Sequence, residues 1–391
     1  MVKLNRPHIG LFGKMNVGKS SLINALTGQA VSVVAEQPGT TTDPVKKIIE
    51  ILGVGPVVIV DTAGVDDASA LGAQRVERTR EALDQVDLAI LVFAGQFDSY
   101  DQSLMETCIA RKVPFFFVHN KSDLQKLNVE IEGADVVEFS CKEPHLPMLI
   151  NKIREHLPKS SYMQDTILDD YVRPGEEVVL VIPVDASAPE GRLILPQVQT
   201  IRNLLDIGAV AVCLKDTELR DYMKTHSPKL VVTDSQAFAY ASSVVPITTP
   251  LTSFSILFSR AKGDFDAFLA GTRTIDRLQD GDKILMLESC THTVNKCDDI
   301  GRVKIPSWLS KRTGKKLKFK FISNLDPLPE DADTYALAIQ CGGCMVTRSQ
   351  IMRRLEILKE KGVPLSNYGL AIAYCHGIFE RVTEIFRKKG M

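Results

Sequence analysis

The chain has 391 residues, with 47 Lys and Arg against 48 Asp and Glu and a formal net charge of −1, so no global field directs it to nucleic acid or an anionic membrane. Hydrophobic residues at 45% and charged ones at 24% exclude wholesale disorder, and the length excludes a single small module. No stretch reaches the ~20 apolar residues of a spanning helix, the N-terminus shows no apolar targeting segment, and 8 cysteines are too few for a disulfide framework. A cytoplasmic protein without membrane or nucleic-acid partners is expected.

In chain order, apolar runs from Ile9 to about Leu157, among them Pro56 to Val60, Leu88 to Phe93 and Pro114 to Val118, alternate with amphipathic stretches. That is the pattern of a doubly wound α/β sheet with strands buried on both faces. Gly13-Lys-Met-Asn-Val-Gly-Lys-Ser20 follows the first apolar run and opens a helical stretch, as G-x-x-x-x-G-K-[ST] does in a phosphate-binding loop. Its glycines let backbone N–H groups of Asn16, Val17, Gly18, Lys19, Ser20 and Ser21 face the phosphates; Lys19 neutralises β/γ oxygens and Ser20 offers a hydroxyl to Mg²⁺.

Asp61-Thr-Ala-Gly64 ends the run at Val60, and Asn120-Lys-Ser-Asp123 follows the run at Val118. Asp61 is placed to orient Mg²⁺ through water, and the Gly64 N–H to meet a γ-phosphate. Asp123 can accept from the N1–H and exocyclic amine of guanine, a pairing adenine cannot reproduce, with Asn120 and Lys121 supporting the base. Ser140-Cys141-Lys142 after Val136 to Phe139 supplies a further base-contacting loop. The ordered set predicts GTP and GDP binding with Mg²⁺ and GTP hydrolysis.

Pro158 to Asp165 is polar and reads as a linker or connector helix. From Val178 the alternation restarts, with strands at Val178 to Ile182, Ala209 to Leu214 and Leu230 to Thr233, and helices at Gln197 to Asp206 and near Thr217 to Lys224. Ser253 to Ala270 reads as one long amphipathic helix, suited to a core, an interdomain contact or a homodimer interface. A third unit begins at Asp280, with strands at Lys283 to Leu287, Lys316 to Ile322, Tyr335 to Ile339 and Tyr368 to Ala373, and ends in a basic helix from Phe379 to Lys389. The fold class is α/β throughout: residues 1–160 as the GTPase domain, 161–270 as a smaller α/β domain, to which the family resemblance given below assigns dimerisation, and 271–391 as an α/β domain carrying a metal or cluster site.

Cys290-Thr-His292 follows the strand at Leu287, and Cys341-Gly-Gly-Cys344 the one at Ile339. Parallel strands would bring the three cysteines to one crevice, where open α/β sheets place ligands. Three thiolates and a weaker position fit a [4Fe–4S] cluster with one exchangeable iron; Zn²⁺ in a Cys₃His site and a redox pair at Cys341 and Cys344 are the rivals. Cys108 and Cys213 read as small buried hydrophobes.

Two resemblances follow from these residues. Gln37-Pro-Gly-Thr-Thr-Thr-Asp43 with the nucleotide motifs resembles the Era and TrmE/MnmE branch of small GTPases, which implies Thr41 as an Mg²⁺ ligand and switch residue and Asn16 as a K⁺ ligand. Val65 stands where Ras-like proteins carry a water-positioning Gln, so slow, K⁺-stimulated hydrolysis is expected. The whole chain resembles the HydF family, GTPases of [FeFe]-hydrogenase maturation, through C-x-H followed by H-C-x-x-C; Cys290, His292, Cys341 and Cys344 match. Gln340 replaces the family's His, which leaves His292, Cys297, Cys375, His376, Asp185 or an exogenous molecule as candidates for the fourth ligand. The resemblance implies a homodimeric scaffold that accepts a transient di-iron precursor from the radical-SAM maturases HydE and HydG and delivers it to apo-hydrogenase. The alternative is an RNA- or ribosome-associated GTPase with a structural zinc site.

Overall fold

The computed structural model describes residues 6–29, 33–37, 45–51, 55–61, 79, 81–127, 130–162, 167–184, 191, 193–289, 299–344 and 346–387. The chain forms two compact units, residues 1–164 with 325–327 and residues 165–324 with 328–391.

The first unit is built on a seven-stranded sheet in the order β2-β3-β4-β1-β5-β6-β7. Its strands are β1 His8–Phe12, β2 Val33–Gln37, β3 Val45–Ile51, β4 Gly55–Asp61, β5 Leu88–Ala94, β6 Phe115–Asn120 and β7 Val136–Phe139. Both pairings of β3 are antiparallel and the rest are parallel. The continuous apolar runs are explained by alternation of side chains to two buried faces. Ile9, Leu11, Leu88, Ile90 and Val92 pack with the helices Lys19–Gln29 and Leu146–His156 on one side. Phe12, Ala89, Leu91 and Phe93 pack with Leu104 and Cys108 of the helix Ser99–Ala110 on the other.

The second unit holds two four-stranded parallel sheets. One runs β11-β10-β8-β9, from β8 Glu177–Val181, β9 Val210–Leu214, β10 Leu230–Thr233 and β11 Leu251–Ser253; the other runs β13-β12-β14-β15, from β12 Lys283–Glu288, β13 Lys318–Ser323, β14 Leu337–Gln340 and β15 Leu365–Asn367. Renumbered from its own first strand, each sheet has the order 2-1-3-4. Strands β8, β10, β12 and β14 are the central, buried members of their sheets.

Three expectations are corrected. The stretch from Ser253 is two helices, Phe254–Lys262 and Phe265–Thr272. Gly263 ends the first, where a Cβ would lie 2.3 Å from the Phe268 ring, and the Asp264 carboxylate caps the second by accepting from the Ala267 N–H at 3.0 Å. Tyr368 to Ala373 is the helix Tyr368–Cys375, not a strand, with the Asn367 side chain at its N-cap; an apolar run buried on all sides has no periodicity to separate the two. The C-terminal stretch is helical over Phe379–Thr383 with a 3₁₀ turn at Glu384–Phe386, and Lys388 and Lys389 of the expected helix lie outside the described residues.

The two helices that follow β11 and β15 cross closely. A Cβ on Gly369 would stand 2.9 Å from Ser255 Oγ, and Ser255 Oγ donates to Asn367 Oδ1 at 3.4 Å. Glycine at this crossing lets the helix starts of the two sheets meet. No helix among the described residues is long and apolar enough to cross a membrane.

Candidate functional site

The nucleotide-type site lies at the carboxyl ends of β1, β4 and β6. After β1 the chain turns through Gly13 (φ 146°), Asn16 (φ 61°) and Gly18 (φ 96°) before the helix at Lys19. A Cβ on Gly13 would sit 2.0 Å from the Val92 carbonyl, and one on Gly18 2.2 Å from Asn120 Nδ2. The loop therefore depends on both glycines for conformation and for space.

Buried Lys19 donates from Nζ to the carbonyls of Gly13 (2.9 Å) and Lys14 (2.7 Å), which hold its ammonium over the loop. At the start of the helix, Ser20 Oγ donates to Asp61 Oδ2 at 3.1 Å, so the hydroxyl and carboxylate suited to Mg²⁺ stand together. Exposed Asn16 and Ser21 flank this pair, and Val17 is buried.

The base-side loops are tied to the phosphate loop. Asn120 Nδ2 donates to the Val17 carbonyl at 2.8 Å, and Lys121 Nζ to the Asn16 carbonyl at 2.7 Å. Asp123 is held from the next loop: Ser140 Oγ donates to its Oδ1 at 2.8 Å, and Lys142 Nζ pairs with its Oδ2 at 3.0 Å. These two partners keep the Asp123 carboxyl below the ordinary carboxylate range. Cys141 Sγ lies 3.5 Å from Asn120 Oδ1, and burial raises its thiol pKa. The structure thus brings Asn16, Val17, Gly18, Lys19, Ser20, Asp61, Asn120, Lys121, Asp123, Ser140, Cys141 and Lys142 into one connected set. Thr41 and Gly64 lie outside the described residues.

A surface cavity of about 1070 Å³ on the same unit is lined by Cys108, Lys112, Phe115, Glu132 and His156, toward the start of β6 and away from these motifs. Beside it Asp135, Glu155 and His156 make a cluster of metal-type ligands, but Lys152 Nζ already reaches Asp135 (2.7 Å) and Glu155 (2.9 Å).

The cysteine-type site lies at the carboxyl ends of β12 and β14, neighbours in their sheet with Leu287 opposite Gln340. In the order 2-1-3-4 this is the switch point, where the chain leaves in opposite directions and opens a crevice. Buried Cys341 follows β14 directly, and its Sγ accepts from the Ser289 N–H (2.9 Å) and the Gly343 N–H (3.4 Å). Two N–H donors converging on one sulfur suit a thiolate better than a thiol. Gly343 turns at φ 62°, and a Cβ there would meet Ile351 Cδ1 at 2.4 Å. Half-buried Cys344 has its thiol pushed up to about 11 by burial, with Lys262 pulling it down against that rise. The pair, its N–H donors and a nearby cation fit an anionic thiolate-held metal or cluster. Cys290, His292, Cys297 and Asp185 lie outside the described residues.

Gln340 is buried, its Nε2 donating to Ser289 Oγ (3.1 Å) and lying 3.6 Å from Cys341 Sγ. Its amide therefore supports the turn around Cys341. Cys375 and His376 stand at the end of the helix Tyr368–Cys375, not at a strand end; His376 packs edge-on against Trp308, and burial raises the Cys375 thiol to about 12. Cys108 is buried as expected, whereas Cys213 is exposed, because β9 is an edge strand in which no residue is fully buried. Sequence reasoning missed Lys262, although its spacing from Phe254 and Phe258 puts it on the apolar face of its helix.

Three family models match the chain: the hydrogen maturase F dimerization domain over residues 167–263, the hydrogen maturase F tetramerization domain over residues 266–385, and a 50S ribosome-binding GTPase over residues 8–121. The chain is similar to the tRNA modification GTPase MnmE of Syntrophotalea carbinolica, 33% identical over 159 residues, 40% of this chain and 35% of that protein. It is also similar to MnmE of Polynucleobacter asymbioticus, 42% identical over 148 residues, 36% of this chain and 30% of that protein. The matches thus cover 35% and 30% of these two relatives' length. Among solved structures, the G domain of the T. maritima FeoB iron transporter is 25% identical, covering 39% of this chain and 100% of that one at a TM-score of 0.31. Era of Aquifex aeolicus is 17% identical, covering 61% and 98% at 0.33. With an N-terminal P-loop GTPase domain followed by both hydrogen maturase F domains, the chain belongs to the hydrogen maturase F (HydF) family.

Proposed function

We propose that this chain binds and hydrolyses GTP with Mg²⁺ and serves as the iron–sulfur scaffold of [FeFe]-hydrogenase maturation. It would accept a di-iron precursor from radical-SAM maturases of the HydE and HydG kind and pass it to apo-hydrogenase in the cytoplasm. The observation that carries this reading is the Cys341 sulfur, which takes N–H bonds from Ser289 and Gly343 at the carboxyl ends of two adjacent parallel strands, in a chain that also carries a complete guanine-nucleotide motif set.

On the nucleotide side, Asp123 reads guanine, Lys19 and the Asn16 to Ser21 backbone hold the phosphates, and Ser20, Asp61 and Thr41 serve Mg²⁺. Gly64 senses the γ-phosphate. No side-chain group at Val65 can orient water, so turnover is slow, and Asn16 holds a K⁺ that stabilises the developing charge. Equal rates in Na⁺ and K⁺ would remove that last role.

On the cysteine side, Cys290, Cys341 and Cys344 would hold a [4Fe–4S] cluster, which supplies one iron open to an exchangeable ligand such as His292 or an exogenous molecule. Domains at 1–160, 161–270 and 271–391 divide the work, and the exposed apolar side chains of Val198, Leu205 and Val210 beside edge strand β9 supply a face for homodimerisation.

The test is anaerobic purification with iron, sulfide and zinc analysis and EPR of the reduced protein, against a Cys290, Cys341 and Cys344→Ala triple variant. About four iron and four sulfide per chain, lost in the variant, is the expected result. One zinc without sulfide refutes the scaffold reading and favours an RNA- or ribosome-associated GTPase with a structural metal.

A further inference from the structure

Lys262, the last residue of the helix Phe254–Lys262, is 6% exposed. Its Nζ donates to the carbonyls of Gly343 (2.7 Å) and Val346 (3.0 Å), one on each side of Cys344. Among the described residues these are its hydrogen-bond partners, and no carboxylate pairs with it. The face of the Phe258 ring lies 6.0 Å from the ammonium. Neighbouring contacts fix the same seam: Arg348 Nε donates to the Ala261 carbonyl at 3.2 Å, and Lys359 pairs with Asp264 at 2.7 Å.

A buried ammonium with no counter-anion among the described residues is expensive, and two carbonyls could be satisfied by a neutral amide at far lower desolvation cost. The cost becomes intelligible if negative charge belongs beside it. Burial lowers Lys262 to about 8, while Cys344 and Cys341 act in the opposite direction, as they would when ionised. Nζ carries three hydrogens, of which the Gly343 and Val346 carbonyls take two.

We propose that Lys262 is a positioning and charge-compensating residue of the cysteine site: it clamps the Cys341 to Val346 turn in ligating shape and supplies the positive charge that favours the reduced form of the thiolate-held cluster. This rests on the iron–sulfur reading above. A cluster ligated by thiolates is anionic and gains one negative charge on one-electron reduction, so a fixed cation in a low-dielectric setting stabilises the reduced form more than the oxidised one. The clamp also ties the end of a helix from the first four-stranded sheet to the ligand loop of the second.

The test compares full-length, anaerobically reconstituted protein carrying Lys262→Arg, Lys262→Gln and Lys262→Met with the wild type. Iron and sulfide per chain are measured, and the midpoint potential is followed by EPR during titration with dithionite. The Arg chain keeps iron content and a midpoint near wild type. The Gln chain, with donors but no charge, keeps iron and moves to a more negative midpoint; a tenfold fall in the reduced-to-oxidised ratio at fixed potential reads as about 59 mV for one electron. The Met chain loses iron as well.

A Gln chain at the wild-type midpoint, an Arg chain that follows Gln, or a Met chain indistinguishable from wild type overturns the proposal. Should neither neutral chain fold while the Arg chain does, the requirement for charge stands. A wild type with four iron and unaffected variants refutes the role of Lys262 alone, whereas a wild type without iron and sulfide refutes the scaffold reading and this inference together.

Discussion

Gly18→Ala is the sharpest perturbation of the nucleotide site, because two independent costs meet in one methyl group. The backbone at φ 96° is open to glycine and strained for alanine, at about 1–2 kcal/mol. The added Cβ would lie 2.2 Å from Asn120 Nδ2, so the amide must move and release the Val17 carbonyl that it holds at 2.8 Å. Leaving that buried carbonyl unpaired adds about 1–3 kcal/mol. The sum, about 2–5 kcal/mol, falls on the segment that shapes the phosphate site, which corresponds to roughly 30-fold to 5000-fold weaker nucleotide binding. The assay is titration of a fluorescent GDP analogue in Mg²⁺, with thermal melting of the same samples. Gly133→Ala is the control: its φ is 80° but a Cβ there meets nothing within 4 Å, so it carries strain without a clash and far from the motifs. A folded Gly18→Ala protein that binds within threefold of wild type would refute the coupling of the two loops through Asn120.

Asp123→Ala should weaken GDP about 10- to 150-fold, the worth of charged hydrogen bonds to the base, and abolish preference over ADP; unchanged discrimination in competition binding would count against Asp123 as the base reader. Because Lys142 and Ser140 depress the Asp123 carboxyl, GDP binding should be present above its lowered pKa and lost only as pH falls through it. Lys142→Ala should move that loss to higher pH in binding curves between pH 3 and 6. Asp101, buried in the cap of the helix Ser99–Ala110, is raised to about 6 by desolvation, so the folded state holds its proton when the unfolded chain has lost it. Stability should therefore fall as pH rises from about 4 to 6, by a total of about 3 kcal/mol, and Asp101→Asn should flatten urea midpoints over that window; parallel curves would refute the assignment. Gly343→Ala, strained at φ 62° and blocked by Ile351, should lower metal bound per chain in elemental analysis, whereas Gly342→Ala, with no neighbour at its Cβ, should not.

The nucleotide site was legible because its parts are short segments whose chemistry resides in local backbone shape. Gly13, Gly18, Lys19 and Ser20 lie in one short segment, and Asn120 and Asp123 in another, each directly after an apolar run. The α/β class was legible for the same reason, since strands such as Leu88–Ala94 are apolar on both faces. Boundaries failed where burial was uniform: Tyr368 to Ala373 is apolar at every position and folds as a helix capped by Asn367, and Ser253 to Ala270 hides a break that Gly263 and Asp264 impose. Cys213 was misjudged because apolar neighbours in sequence say nothing about whether a strand lies at the edge of its sheet. The set around Cys341 was only half legible. Strand ends announced the cysteines, but the N–H groups of Ser289 and Gly343, the amide of Gln340 and the ammonium of Lys262 converge through tertiary structure that no single segment encodes.

The repeated strand order explains why the cysteine loop can recruit a lysine from so far along the chain. Each four-stranded sheet of the second unit ends in a short strand that runs straight into a helix, β11 into Phe254–Lys262 and β15 into Tyr368–Cys375, with Ser253 and Asn367 as the respective caps. Each also has a switch point beside its third strand, where Asp234 follows β10 and Cys341 follows β14. The crevices share a backbone plan but not their chemistry. Asp234 accepts from Gln197 Nε2 at 3.0 Å, on the helix that follows the first strand of its own sheet. The Cys341 turn instead combines two sulfurs, converging N–H groups and Lys262, which comes from the last helix of the other sheet. The ammonium on this turn comes from the other copy of the plan, and so the geometry of the turn depends on how the two sheets are packed.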